Sequence, residues 1–257
     1  LGIFVAIASA ITVFVISASY SQIVEIFPSG GGGYLVASKL LSPRLGMISG
    51  CALLIDYMLT ITVSVACGAD AVFSFLPSDW LKFKLIFASF VVLVLIVLNL
   101  RGIKESVLVL MPIFLVFVIT HVFLIIYALA MHSADFPEVV SSTGKDLSST
   151  AAQVGVFGII FMILRAYSMG AGTFTGIEAV SNSLPVLREP KVQTAKRTML
   201  YMAISLAFMV VGLMLAYMLY KVQLQPGKTL NAALLESVTQ PWNRNLSIAF
   251  VLIALVS

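Results

Sequence analysis

The sequence predicts an all-α polytopic membrane protein, and two observations carry that expectation. Hydrophobic residues make up 60% of the 257, charged residues only 10%, and the mean hydropathy is +1.09. Such a chain has too little polar surface to coat a water-soluble globule. Apolar runs also recur at or near the roughly 20 residues that a helix needs to cross about 30 Å of hydrocarbon. The formal net charge of +4 therefore bears on topology and does not point to nucleic acid.

Each element follows from periodicity and punctuation. Leu1 to Phe27 reads as a helix, stopped by the breaker FPSGGGG. Leu45 to Leu76 is a long second span closed by Pro77, and Phe83 to Leu98 a short third, followed by the tight polar connection NLRGIKES. Val107 to Met131 is a fourth, with Pro112 inside it as a source of a kink. A loop rich in Ser, Thr and Asp follows. The fifth span begins near Gln153 and runs into YSMGAGTFTGIEAVSN; Met199 to Val222 is a sixth, and Leu246 to Ser257 starts a seventh. Cys51 and Cys67 share one helix, sixteen residues and so roughly 24 Å apart, too far to bridge each other. Because apolar runs are in progress at Leu1 and at Ser257, residues 1–257 are expected to form a single transmembrane domain cut at both ends.

Charge orients the spans. Lys39, Arg44, Arg101, Lys104, Arg188, Lys191, Lys196 and Arg197 fall on one side, with four of them in one short loop. Lys82, Lys84, Lys145, Lys221, Lys228 and Arg244 fall on the other. The positive-inside rule puts the first set in the cytoplasm, so the first helix runs outside to inside. An internal echo accompanies this. YLVASKLLSPRL separates the first two helices and TLNAALLESVTQ the last two, on opposite faces of the membrane. Helix, interfacial helix, helix, repeated upside down, is the pattern of inverted-repeat transporters.

Within the fifth span, Gly170, Gly172 and Gly176 stand among small polar residues just before Glu178. Each glycine weakens a helix by roughly 1 kcal/mol, so an interruption is expected near Met169 to Thr173. Unwound backbone at membrane depth survives only against protein or a water-filled cavity, where its free NH and carbonyl groups can meet a substrate. The alternative is that the glycines let a neighbouring helix approach closely. That would leave Glu178 unexplained.

These residues resemble a known family. FTGIEAVSN followed by LREPKVQTAKRT is similar to the sixth helix and following loop of the amino acid-polyamine-organocation (APC) superfamily. IVEIFPSGGGGYLVASKLLSP resembles the end of that family's second helix with its Gly-rich turn and interfacial helix, GCALLIDYMLTITVSVACGAD its third helix, and NLRGIKES its fourth-to-fifth connection. The resemblance runs through the whole chain in order. It implies helices two to seven and the start of eight of a permease of about twelve helices, in the five-plus-five inverted-repeat (LeuT-like) fold, with the first helix and everything after the middle of the eighth missing.

Carried onto this sequence, the resemblance implies a substrate site at Gly170, Ala171, Gly172, Thr173 and Thr175, with Tyr167 or Phe174 closing it where relatives carry an aromatic gate. Glu178 matches the family's acidic gating position. The fifth family helix often holds a Lys that replaces sodium; here it holds His121 instead, while Asp56 precedes Tyr57 on the second span. Ionisable groups at such depth usually face a cavity or a partner. Asp56 and His121 are thus candidate proton carriers, although His121 could simply hydrogen-bond across a helix interface. Arg165 either neutralises Asp56 or Glu178 or snorkels to the interface.

The expected function is secondary transport of amino acids or related amines, coupled to protons, in the cell membrane. The alternatives are another organic cation or ion carried on the same fold, or a substrate sensor. An enzyme is not expected: HExxH and GxSxG are absent, and His132 falls in a loop rather than beside His121. The partners implied are a small-molecule substrate, the lipid bilayer and a coupling proton, with no cofactor and no metal.

Overall fold

The computed structural model describes residues 1–256, apart from the side chains of residues 103, 104, 173, 255 and 256. Ser257, at the expected end of the last span, lies outside the described residues. The chain runs through α1 (Gly2–Ile26), α2 (Gly32–Val36), α3 (Pro43–Phe73), α4 (Lys84–Arg101), α5 (Ile103–Met131), α6 (Phe136–Met169), α7 (Ile177–Asn182), α8 (Lys191–Leu219), α9 (Leu230–Thr239) and α10 (Arg244–Val256). Among the described residues six helices are long and apolar enough to cross a membrane. They correspond in order to the six spans read from the sequence. Outward side chains such as Phe157 and Leu100, 90% and 81% exposed, are apolar. Such a surface suits hydrocarbon, where a helix satisfies its own backbone and needs no polar exterior.

Two compact units share the chain, residues 1–60 with 141–214 and residues 61–140 with 215–257. In the first, α1 buries Ala6, Ser9, Val13, Ser17 and Val24. Spacings of three, four and seven put these small side chains on one stripe, which lets other helices approach closely. Val13 and Val24 meet Ile177 and Leu184 from the α7 region and Ala195, Met199 and Ala203 of α8 in one core. In the second unit α5 buries Leu124, Ile125 and Ala128. Phe123, Tyr127, Trp242 and Phe250 form an aromatic cluster there, and the Trp242 Nε1–H donates to the Tyr127 hydroxyl at 3.0 Å. Thr229 caps α9 by accepting from the Ala232 amide, and its own amide donates to Ser74 Oγ at 3.0 Å. A hydrogen bond and the charge of Glu138, 3.0 Å away, hold the Lys221 ammonium above its ordinary value.

One element departs from the sequence reading. The polar segment read as a loop before Gln153 is helical from Phe136, and Gly155 (φ 72°, ψ 170°) separates it from the apolar part of α6. Ser148, Ser149 and Thr150 turn their hydroxyls back onto carbonyls three or four residues earlier. These side-chain bonds satisfy polar groups that would otherwise favour loop conformations. Both short amphipathic linkers are helical as the echo required: α2 continues into a π-helical turn at Ala37–Leu41, and α9 spans ten residues.

Candidate functional site

The expected interruption of the fifth span is present. α6 ends at Met169, a 3₁₀ turn covers Ala171–Phe174, Thr175 is extended (φ −71°, ψ 150°), and α7 starts after Gly176. Gly176 has φ 105°, a left-handed geometry that costs any residue with a Cβ and costs glycine little. The break therefore extends three residues beyond Thr173. Glu178 turns back over it, and both its carboxylate oxygens accept from the Gly176 amide, at 2.9 and 3.0 Å. A carboxylate at a helix N-terminus satisfies an orphan donor and opposes the helix dipole.

Beside the break lies a cavity of about 470 Å³ within the first unit. Helical spacing explains its walls. Ser49, Ala52, Leu53 and Asp56 occupy positions i, i+3, i+4 and i+7 of α3, Ile16 and Tyr20 are one turn apart on α1, and Glu178 and Asn182 one turn apart on α7. Tyr34, Phe174 and Thr175 complete the polar and aromatic lining. Asp56 and Glu178 thus line one open cavity. The Tyr57 hydroxyl lies within electrostatic reach of both.

The other predicted residues are placed as follows. Tyr167 meets Phe174 in a tilted ring contact with centroids 5.3 Å apart, and its hydroxyl is 2.6 Å from Thr12 Oγ1. Thr175 Oγ1 donates to the Gly172 carbonyl at 2.9 Å. Ala171 and Gly172 are exposed, and a Cβ built on Gly172 would meet nothing within 4 Å, so close packing among the described residues is not what that glycine serves. Gly170 lies at the end of α6, where a Cβ would make ordinary contacts with the carbonyls of Ala166 and Tyr167. The side chain of Thr173 lies outside the described residues. Arg165 is exposed, and among the described residues no ion pair joins it to Asp56 or Glu178. His121 belongs to the second unit, 8% exposed, with Nδ1 3.0 Å from the Phe117 carbonyl. A carbonyl only accepts, so Nδ1 is the donor in that contact. It lines a cavity of about 620 Å³ whose walls include Phe117, Ser64 and Asn231.

Sequence reasoning missed Tyr20, Tyr34 and Asn182. A signal existed for the last: Asn182 is four residues after Glu178, so the two share a helix face.

The chain is an all-α, integral, multi-pass membrane protein with a helix broken beside an acidic cavity. The chain belongs to the amino acid permease family, whose profile, described as "Amino acid permease", matches residues 1–257. The resemblance to the APC superfamily is thereby borne out. Among characterised relatives, the potassium transporter KimA of Bacillus subtilis (strain 168) is 36% identical over 216 residues, which cover 83% of this chain and 34% of the relative. The chain spans about a third of that relative's length.

Proposed function

We propose that this chain forms part of a secondary transporter whose cargo is a monovalent cation, potassium first among candidates, bound in the cavity beside the broken helix. The observation that carries this is the pairing of Asp56 and Glu178 in one cavity whose described lining holds no Lys, Arg or His. Hard cations select oxygen ligands, and carboxylates, hydroxyls and carbonyls are what this cavity offers. Two carboxylates around one monovalent ion leave a net negative site, which also suits a coupling proton.

A zwitterionic amino acid needs a donor for its carboxylate as well. The Gly176 amide, just before α7, already serves Glu178, so a substrate carboxylate would depend on the neutral hydroxyl and amide donors of the lining. The family's description keeps an amino acid or amine as the second reading, with its ammonium at the same carboxylates. Coupling is proposed to pass through Asp56, with His121 as its modulator.

Uptake into vesicles containing the full-length protein separates the readings. Potassium or rubidium should accumulate under an imposed proton gradient, and Asp56→Asn should eliminate that accumulation. Accumulation of a labelled amino acid with no cation uptake would overturn the cation assignment. Undiminished cation accumulation by Asp56→Asn would show that the carboxylate is structural.

A further inference from the structure

Asn182 sits at the junction of three elements in the first unit. Its Nδ2 donates to the Tyr57 hydroxyl at 2.7 Å. Its Oδ1 faces Gly32, where a Cβ would lie only 2.5 Å away, and Gly32 has φ +46°. The neighbouring Ser181 is 1% exposed and its hydroxyl has no hydrogen-bond partner among the described residues, so Asn182 supplies the polar fastening at this point.

The two ends of the Asn182–Tyr57 bond have a particular relation to the cavity. Tyr57 directly follows Asp56 on α3, and Asn182 follows Glu178 by one turn on α7. The bond therefore ties together the two backbone segments that carry the carboxylates. On its other side, Asn182 Oδ1 occupies the space that a side chain at position 32 would need. The main packing of α7 is on α1 and α2, and among the described residues this bond joins it to the helix bearing Asp56.

We propose that Asn182 is a positioning residue for cation selectivity: clamped between Tyr57 and Gly32, it fixes the spacing of Asp56 and Glu178 and hence the size of ion the cavity accepts. The inference rests on the cation reading above. Selectivity among alkali ions depends on the size and the stiffness of an oxygen cage, so loosening one strut should alter discrimination before it alters folding.

The test uses the full-length protein in vesicles, comparing wild type with Asn182→Ala, Tyr57→Phe and the double variant. Tyr57 is not among the residues lining the cavity, and the direct partner of its hydroxyl is Asn182, so a loss shared by the two single variants reports on their common bond. Each single variant is expected to raise the apparent KM for potassium about fivefold, the range set by one hydrogen bond. Each should also narrow the preference for potassium over caesium with membrane insertion kept, and Tyr57→Phe, outside the cavity lining, should keep the maximal rate. The double variant should be no worse than either single one, because both break the same bond.

A shift in Asn182→Ala without one in Tyr57→Phe would overturn the proposal, as would additive effects or unchanged selectivity in both. Should Asn182→Ala fail to insert, Tyr57→Phe, which removes a single oxygen, decides alone. Asp56→Asn run alongside separates the two levels. Loss of uptake there with unaffected Asn182 and Tyr57 variants sinks the positioning role only, whereas absence of potassium uptake in wild type sinks the cation reading and this inference with it.

Discussion

Glu178 is given two tasks by its geometry, and two substitutions pull them apart. Its carboxylate accepts twice from the Gly176 amide and so closes the N-terminus of α7; it also lines the cavity opposite Asp56. Glu178→Ala removes the acceptor and leaves a partly buried amide unmatched, a loss of about 2 kcal/mol for a charge-assisted cap. Glu178→Gln keeps a neutral acceptor of about half that strength, so it should lose about 1 kcal/mol. Any stability gained by removing a charge from a membrane protein is common to both variants and cancels in their comparison. The difference of about 1 kcal/mol corresponds to a midpoint about 2–4 °C lower for Ala than for Gln. Thermal unfolding in detergent, followed by the fraction that stays monodisperse, measures it. Cation uptake should be lost in both variants, since neither carries the charge. Equal midpoints would refute the capping role, and uptake retained by the Gln variant would refute the ionic one.

Other perturbations address the rest of the chain. Gly172→Leu should insert and unfold as wild type does, because nothing lies within 4 Å of its Cβ position, yet lose substrate binding if the unwound segment lines the path; unaltered affinity would remove this position from the site. A cysteine placed at Gln193, with Cys51 and Cys67 replaced by Ser, should resist an impermeant thiol reagent added to intact cells, and ready labelling would invert the topology. His121→Gln keeps an acceptor in the same place but cannot take up a proton near neutrality. It should move the pH optimum of uptake, and an unchanged profile would confine His121 to its bond with Phe117.

The membrane helices were legible because hydrocarbon imposes a simple rule on them: length and apolarity suffice. α1, read as residues 1–27, spans Gly2–Ile26, and α5, read from Val107, ends at Met131 as expected. The helical stretch from Phe136 was not legible, since Ser and Thr signal loops unless their hydroxyls fold back on the helix, and that depends on local geometry. The break was visible in its glycines, but its true end was set by the left-handed Gly176, one glycine among three. Asp56 and Glu178 were conspicuous as charges in apolar runs. That they share a cavity was not readable, because their proximity arises from packing between elements 122 positions apart in sequence. Asn182 was harder still: its spacing from Glu178 puts it on the same helix face, but its partners show only once Tyr57 and Gly32 are seen at its two ends.

The open surroundings of Gly172 have a consequence for how such proteins diverge. Most positions at a binding site are constrained twice, once by what they carry and once by what they pack against, so a change of cargo usually demands compensating changes nearby. Gly172 stands on a 3₁₀ turn whose neighbours do not close over it. A larger residue there displaces no described atom, so, on the proposal that the unwound segment lines the cargo path, variation at this position would be weighed by cargo and not by packing among the described residues. Single substitutions here would then change cargo while leaving a folded intermediate for the next to build on.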